Sequence, residues 1–217
     1  MSIEQDQRSL FPDNGETDLF FFEQKLTRRA FKAIAGIDEA GRGPLAGPVI
    51  ASAVILKLGD EIIGLTDSKK LSPKKRDSLF DEIKKRALAI GVGISEADEI
   101  DRVNILQATL LAMQRAVGNL CLRPDYLIID GITPLPSKTP QETIKKGDSR
   151  SYSIAAASII AKVTRDRLMV EYDTKFPQYG FAGHKGYGSK LHMEAIARHK
   201  PCPIHRKSFG GVKEHVI

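Results

Sequence analysis

The spacing of apolar and polar residues along the chain predicts strands and helices in alternation. Runs rich in Val, Ile and Ala predict strands at 33–38, 49–56, 90–94 and 126–129, with a shorter strand at 144–146. Helical spacing of apolar residues predicts helices at 20–29, from 73 to 87, and at 100–120, 153–172 and 191–199. Residues 131–143 carry three prolines and are predicted to form a loop. This alternation indicates an α/β domain.

Three of the predicted helices have distinctive features. Ser72-Pro73 is a good helix start, because serine caps the first turn and proline suits its first position. The helix at 100–120 has a stripe of large apolar residues: Val103, Leu106, Leu110, Met113 and Val117. The helix at 153–172 has a face of small residues that permits close packing: Ala155, Ala156, Ala157, Ser158 and Ala161.

The chain of 217 residues suits one domain, and it contains no repeat, low-complexity tract or linker. Residues 1–32 are predicted to be a partly flexible N-terminal extension, because turn-forming residues precede the first helix. Residues 33–217 are predicted to form the domain itself, with a C-terminal helical segment and a basic tail.

Composition adds a basic net charge of +6 and a pI near 9.3, which favour a polyanionic partner such as nucleic acid. The two cysteines, Cys121 and Cys202, lie far apart, so a reducing compartment is expected. No signal peptide and no apolar run of membrane-spanning length is recognised. We therefore expect a cytoplasmic protein with no membrane partner, and a monomer.

Two adjacent carboxylates, Asp38 and Glu39, end the first predicted strand and precede Gly41-Arg42-Gly43. Neighbouring strand residues point to opposite faces, so the pair shares one site only if the strand bends. The glycines that follow permit such a bend. An exposed acidic turn is the alternative.

Asp130 also ends an apolar strand, and Asp148 precedes a predicted helix. Taken singly, Asp130 could be a turn residue and Asp148 a helix N-terminal charge. If these residues cluster with Asp38 and Glu39, the repelling carboxylates require a cation. Oxygen ligands suit Mg²⁺ or Mn²⁺. Two such ions roughly 3.5–4 Å apart would activate a water molecule that attacks a phosphodiester.

At this point the sequence resembles a known family, ribonuclease HII. Its blocks run in order from about 33 to 209: Asp38–Val49, Leu65–Ser72, Asn104–Thr109, Ile129–Gly131, Lys146–Asp148, Ser153–Arg167 and His184–Gly188. The resemblance implies a ribonuclease H-like fold, with a mixed five-stranded sheet flanked by helices. It implies an endonuclease that cuts the RNA strand of RNA–DNA hybrids and cuts 5′ of ribonucleotides embedded in duplex DNA.

The resemblance also implies roles for individual residues. Asp38, Glu39, Asp130 and Asp148 match the metal-binding and catalytic carboxylates of the family. Gly41, Arg42 and Gly43 match the loop whose backbone reads the ribose 2′-hydroxyl, the group that separates RNA from DNA. Tyr187 matches the tyrosine that stacks on the deoxyribose after the ribonucleotide. Lys69 and Lys185 are candidates for phosphate contacts, as are Lys70, Arg206 and Lys207, although solvated charges are as frequent.

Several alternatives remain beside this interpretation. Ribonuclease HIII is the nearest related family, but it has Thr in place of Arg42 and a folded N-terminal domain. A non-catalytic nucleic-acid-binding module would have no reason to keep all four carboxylates. The glycines at 41, 43 and 47 lack dinucleotide-loop spacing, and Cys202 with His205 lacks the second pair of a zinc site.

Three further predictions concern single residues and the N-terminus. His184 and His192 are expected to be surface histidines, and Asp166 a helical ion-pair residue. Gln7-Arg8-Ser9-Leu10-Phe11 resembles the short peptide by which bacterial replication and repair proteins dock on the sliding clamp. The anchors would be Leu10 and Phe11, with Gln7 at the pocket edge; alternatively, Leu10 and Phe11 cover the domain's own core.

Overall fold

The computed structural model describes residues 18–66, 68 and 71–216. Its strands are β1 Ile34–Ala40, β2 Val49–Ile55, β3 Ala89–Ser95, β4 Tyr126–Asp130 and β5 Gln141–Ile144. Its α-helices are α1 Phe21–Arg28, α2 Pro73–Arg86, α3 Ala97–Val103, α4 Ile105–Gly118, α5 Tyr152–Lys175, α6 Phe181–His184 and α7 Lys190–His199.

The strands form one mixed sheet in the order β3-β2-β1-β4-β5 over the described residues. β1 pairs antiparallel with β2, and β2 pairs antiparallel with β3. β4 is parallel to both β1 and β5. The predicted five-stranded α/β arrangement is therefore confirmed, and β1, which carries the first carboxylates, lies at its centre.

Helices cover both faces of the sheet at short range. α4 packs on one face, and an added Cβ at Gly93 would lie 2.0 Å from the Ala112 carbonyl oxygen. α5 packs on the other face, where a Cβ at Gly36 would lie 2.2 Å from the Ser153 carbonyl carbon. The small residues predicted on α5 are buried, as close packing requires. These contacts fix α5 directly behind the strand that carries Asp38.

The predicted single helix at 100–120 is wrong, because the chain breaks it into α3 and α4 at Asn104. Asn104 has a φ of 71°, a left-handed value that asparagine tolerates better than most residues. Its side-chain oxygen accepts hydrogen bonds from Leu106 N and Gln107 N and caps α4. Leu106, predicted on the buried stripe, is 39% exposed. The alanines of α4 pack on the core together with the rest of the predicted stripe: Val103, Leu110, Met113 and Val117.

The last predicted strand is also misplaced. It spans Gln141–Ile144 and not 144–146, because β5 begins directly after Pro140 and pairs Gln141 with Leu127. The predicted loop at 131–143 is accordingly shorter. The Ser72 cap is confirmed, since its side chain accepts from Lys75 N. The other predicted helices and strands differ from the observed ones by a few residues at their ends.

The two ends of the described chain pack on the domain in different ways. α1 contributes Phe22 and Leu26 to a cluster with Ile34, Tyr126 and Ile128. The predicted boundary at residue 33 stays a prediction.

After α5 the chain builds a separate core around Phe181, against which His192 and His205 are buried. His192 is therefore not the surface histidine that we predicted. Of the described helices, none combines the length and the apolar composition of a membrane-spanning segment.

Candidate active site

Two of the predicted carboxylates meet at one edge of the sheet because β1 and β4 are parallel neighbours. Ile37 pairs with Ile129, and the next residue on each strand is Asp38 and Asp130. In α/β folds, residues at the carboxyl ends of neighbouring strands often build functional sites. The predicted bend between Asp38 and Glu39 is not observed, since β1 stays paired with β2 through Ala40. The two carboxylates are nevertheless close enough for the charge of Glu39 to help raise the pKa of Asp38.

The pKa of Asp38 is strongly perturbed by its surroundings. It is 4% exposed, and burial, followed by the charges of Glu39 and Asp130, raises its pKa well above the ordinary value. The Ser158 hydroxyl on α5 and Glu39 N, which donates to Asp38 Oδ1 at 2.7 Å, favour the charged form. Folding therefore concentrates negative charge at a site from which water is largely removed.

Asp148 reaches the same region through a backbone hydrogen bond. Gly147 N donates to Asp130 Oδ1 at 2.6 Å, which ties the end of β4 to the 3-10 turn Gly147–Ser149. Asp148 lies in that turn and is 5% exposed. The peptide before α5 is thus anchored on Asp130.

The chemistry of these side chains fits a hard divalent cation. All four candidate ligands are carboxylates. Burial, followed by the charges of Glu39 and Asp130, raises the pKa of Asp38, and a cation would offset both effects. Within residues 18–66, 68 and 71–216, no three His, Cys, Asp or Glu side chains are already arranged to hold an ion. A bound ion would therefore draw these carboxylates together.

A cleft of about 240 Å³ lies beside Glu39, and Asp38 adjoins it through its hydrogen bond with Ser158. It is lined by Glu39, Ala40, Gly41, Arg42, Gly43, Ser68, Ser158, Lys162, Arg165 and Tyr187. The Tyr187 ring is next to the glycine loop, since a Cβ at Gly43 would lie 3.7 Å from Tyr187 Cε1. Tyr187 is 48% exposed and can contact a bound molecule. The structure thus brings Glu39, the predicted loop and the predicted tyrosine into one cleft.

Two buried arginines hold the main chain behind this loop. Arg206 is 0% exposed; it donates from Nε to Gly47 O at 3.0 Å, from Nη1 to Arg42 O at 2.8 Å and from Nη2 to Gly41 O. Arg206 is therefore not the phosphate contact or solvated charge that we weighed. Burial, followed by the charge of Arg165, lowers its pKa to about 9, so the guanidinium remains protonated at neutral pH.

Arg165, on α5, also donates hydrogen bonds to backbone carbonyls behind the loop. It donates from Nε to Pro48 O, from Nη2 to Ala46 O and from Nη1 to Lys185 O, each at 3.0 Å. Burial lowers its pKa to about 10. One guanidinium thus joins the glycine loop to the segment that carries Tyr187.

Gly41 is required by this packing. Its φ is +97°, and a Cβ there would lie 2.1 Å from Arg165 Nε. A side chain at residue 41 would meet the guanidinium directly, and L-residues rarely adopt such a φ. The loop therefore keeps its shape through a close contact between glycine backbone and a buried cation.

The remaining predicted cations are distributed around the cleft. Arg42 is half exposed, and its Nη1 lies 3.4 Å from Glu39 Oε1. Lys185 donates to Ala182 O and lines an adjoining groove of about 430 Å³ together with Arg76, Lys162 and Arg167. Lys69 falls outside the described residues. Asp166 forms the expected helical ion pair, with Lys162 at 2.8 Å.

Three residues that line the cleft were not predicted as site residues: Ser158, which was expected only to permit close packing, Lys162 and Arg165. The missed signal is their spacing. They stand at positions i, i+4 and i+7 of a helix whose first half is mostly apolar, so they form one polar stripe. Ser68, which shares a hydrogen bond of 2.8 Å with Ser158, completes the cleft wall from the other side.

The fold and site define a class: a ribonuclease H-like domain with carboxylates at the edge of its sheet. The profile of the Ribonuclease HII family matches residues 35–212. A Ribonuclease HII of Geobacter metallireducens is 63% identical over 207 residues, covering 95% of this chain and 97% of that protein. The chain belongs to the ribonuclease HII family and is a ribonuclease H enzyme, rather than the ribonuclease HIII that we weighed.

Solved structures agree with this assignment. Ribonuclease H2 from Pyrococcus horikoshii OT3 superposes with a TM-score of 0.70 at 27% identity, covering 83% of this chain and 95% of that one. The RNase HII of a PCNA:RNase HII complex from Archaeoglobus fulgidus superposes with a TM-score of 0.68 at 28% identity, covering 82% and 95%. The predicted ribonuclease H-like fold is confirmed.

Proposed function

We propose that this enzyme cuts the RNA strand of RNA–DNA hybrids and also cuts 5′ of single ribonucleotides in duplex DNA, leaving 5′-phosphate and 3′-hydroxyl ends. The observation that supports this most is the position of a buried, charge-crowded Asp38 beside a cleft that holds Gly41–Gly43 and Tyr187. The carboxylates would act on the phosphodiester. The glycine loop would contact the ribose, and the Tyr187 ring would contact the deoxyribose that follows it. The cytoplasmic location and the monomeric state stay predictions.

We infer that Asp38, Glu39, Asp130 and Asp148 hold Mg²⁺ or Mn²⁺ during this reaction. The ions, when bound, supply an activated water and stabilise the leaving oxygen. The Ser158 hydroxyl and the Glu39 amide favour the charged form of Asp38, whereas burial and the charges of Glu39 and Asp130 disfavour it and raise its pKa. Gly147 N donates to one oxygen of Asp130 and so restrains this side chain.

The cleft supplies the recognition chemistry. Because Arg206 and Arg165 engage carbonyl oxygens of residues 41, 42 and 46–48, the loop backbone is fixed before substrate arrives. A fixed backbone can hydrogen-bond a ribose 2′-hydroxyl at little entropic cost. Tyr187 would stack on the next deoxyribose. Lys162, Lys185, Arg42 and Lys69 would contact phosphates.

The first prediction concerns the carboxylates. Asp130→Asn should lower kcat/KM on a duplex with one embedded ribonucleotide by at least about a hundredfold in Mg²⁺ or Mn²⁺, because a donor to the ion is lost. Asp38→Asn should do the same and should also raise the Tm in EDTA, because a buried repelling charge is removed. Asp81→Asn, an exposed residue of α2, is the matched control for both measurements.

Cleavage near the wild-type rate in Asp130→Asn would contradict the metal site. A wild-type chain that binds hybrids but cuts neither substrate with either ion would favour the non-catalytic module instead. Product ends, read by ligation and by phosphatase sensitivity, check the expected 5′-phosphate and 3′-hydroxyl.

The second prediction concerns Tyr187. Tyr187→Ala should reduce kcat/KM at a single embedded ribonucleotide about three- to tenfold more than on an all-RNA strand, because a stacking contact is worth about 0.5–1.5 kcal/mol. Tyr187→Phe keeps the ring and should retain the ratio of the two rates. Equal losses of kcat/KM on both substrates in Tyr187→Ala would show that the ring only packs and does not distinguish the substrates.

The third prediction is a partner. We propose that Gln7, Leu10 and Phe11, which lie outside the described residues, dock on the sliding clamp. The resemblance of the motif supports this, as does the Archaeoglobus relative, which was solved in a complex with PCNA. A peptide spanning 2–16 should bind the purified clamp of the same organism, and Leu10→Ala with Phe11→Ala should abolish binding. Binding unchanged in the double variant, or no binding at high micromolar peptide, would end the proposal.

A further inference from the structure

A cluster of histidine rings lies behind the segment that carries Tyr187. His192 and His205 are 0% and 1% exposed, and the ring of His184 stacks on that of His192 with centroids 4.4 Å apart. The Phe181 ring packs edge-on against His192 at 5.4 Å. None of these rings lines the cleft, yet burying two imidazoles beside a third, partly buried one requires a reason.

The hydrogen bonds of His192 fix its tautomer. Its Nδ1 lies 2.8 Å from the carbonyl oxygen of Tyr187. A carbonyl only accepts, so Nδ1 carries the hydrogen and the Nε2 of a neutral ring is bare. That bare Nε2 lies 3.0 Å from His205 Nε2, which must therefore donate.

The hydrogen bonds of His205 indicate the same direction of donation. Cys202 N donates to His205 Nδ1 at 2.9 Å, so this nitrogen carries no hydrogen. A second proton on either ring would set two N–H groups against each other across one of these contacts. Burial accordingly lowers the pKa of both His192 and His205 to about 4. Three hydrogen bonds thus run in one direction, from Cys202 through both rings to Tyr187.

His184 holds the same segment from the opposite side. Gly186 N donates to its Nδ1 at 3.1 Å, and its Nε2 lies 2.8 Å from Tyr179 O. Gly186 is close to the glycine loop as well, since its carbonyl accepts from Leu45 N at 2.8 Å. The backbone on both sides of Tyr187 is therefore fixed, while its ring remains half exposed in the cleft.

We propose that His192 and His205 are positioning residues that hold the Tyr187 main chain by a neutral, one-directional hydrogen-bond chain and thereby set the preference for a single embedded ribonucleotide. The functional half of this inference rests on the proposed role of Tyr187. The structural half, which concerns where the protons lie, stands on the geometry alone.

The first experiment measures the protons directly, without substrate. Histidine ¹⁵N and ¹H NMR of the full chain at pH 7 should show His192 protonated at Nδ1 and His205 at Nε2, with neither ring charged. Exposed His199, assigned through His199→Gln, serves as the reference for a solvent-accessible ring in the same spectra. An imidazolium at either position, or the opposite tautomer at His192, would overturn the proposal.

The second experiment separates positioning from packing at His192. His192→Phe keeps the ring but loses the donor to Tyr187 O, whereas His192→Asn keeps an amide nitrogen near the place of Nδ1. We expect His192→Phe to lower the ratio of kcat/KM on one ribonucleotide to that on all-RNA by about three- to tenfold, the worth of one hydrogen bond. His192→Asn should keep the ratio even if its Tm falls.

The outcomes distinguish the two proposals. A changed ratio in Tyr187→Ala with an unchanged ratio in His192→Phe overturns the positioning role. Equal ratios in Tyr187→Ala and the wild type remove the proposed role of Tyr187, and the functional half of this inference with it, while the NMR result still decides the hydrogen-bond chain. His199→Phe should leave both rates unchanged.

Discussion

The cleft depends on two guanidinium groups buried beneath it whose hydrogen bonds go to backbone carbonyls. Arg165 and Arg206 each donate three times, and the acceptors belong mainly to residues 41–48. Burying a charge is costly unless its hydrogen bonds are satisfied. The loop must therefore keep the shape that presents these oxygens, and the charge and the loop stabilise each other.

This constraint orders the parts of the site. Arg165 comes from α5, whose earlier turns carry Ser158 beside Asp38. Arg206 comes from the C-terminal segment, where Leu45 O accepts from Arg206 N at 2.9 Å. The central helix, the glycine loop and the tail are thus tied together at one point. Two cations lie under the cleft while carboxylates lie at its side, so a polyanion and a divalent cation would each find opposite charge nearby.

The fold followed from local patterns wherever those patterns were strong. β1, β2 and β4 are apolar runs of ordinary strand length, and their predicted positions were close to the observed ones. The break at Asn104 was missed because apolar spacing continued across it, while the backbone turned through a left-handed residue. β5 was misplaced because its four residues carry little apolar signal.

The site was predicted in a different way. Asp38, Asp130 and Tyr187 were assigned to the site mainly because they lie in sequence blocks that resemble a known family. The spacing of residues alone did not assign them. Arg206 was misjudged because a basic residue in a basic tail usually faces solvent. Only the three-dimensional contact with Gly41 and Gly47 shows its role. The polar stripe of Ser158, Lys162 and Arg165 could have been recognised from helical spacing alone.

Arg206→Lys tests the central claim most directly, because lysine keeps the charge and loses the planar fork. Denaturant unfolding and cleavage of a duplex with one ribonucleotide should be measured beside Arg198→Lys, an exposed change on α7. We expect Arg206→Lys to lose about 3 kcal/mol of unfolding free energy and most of its cleavage rate, with Arg198→Lys unchanged. Wild-type stability and cleavage in Arg206→Lys would contradict the account.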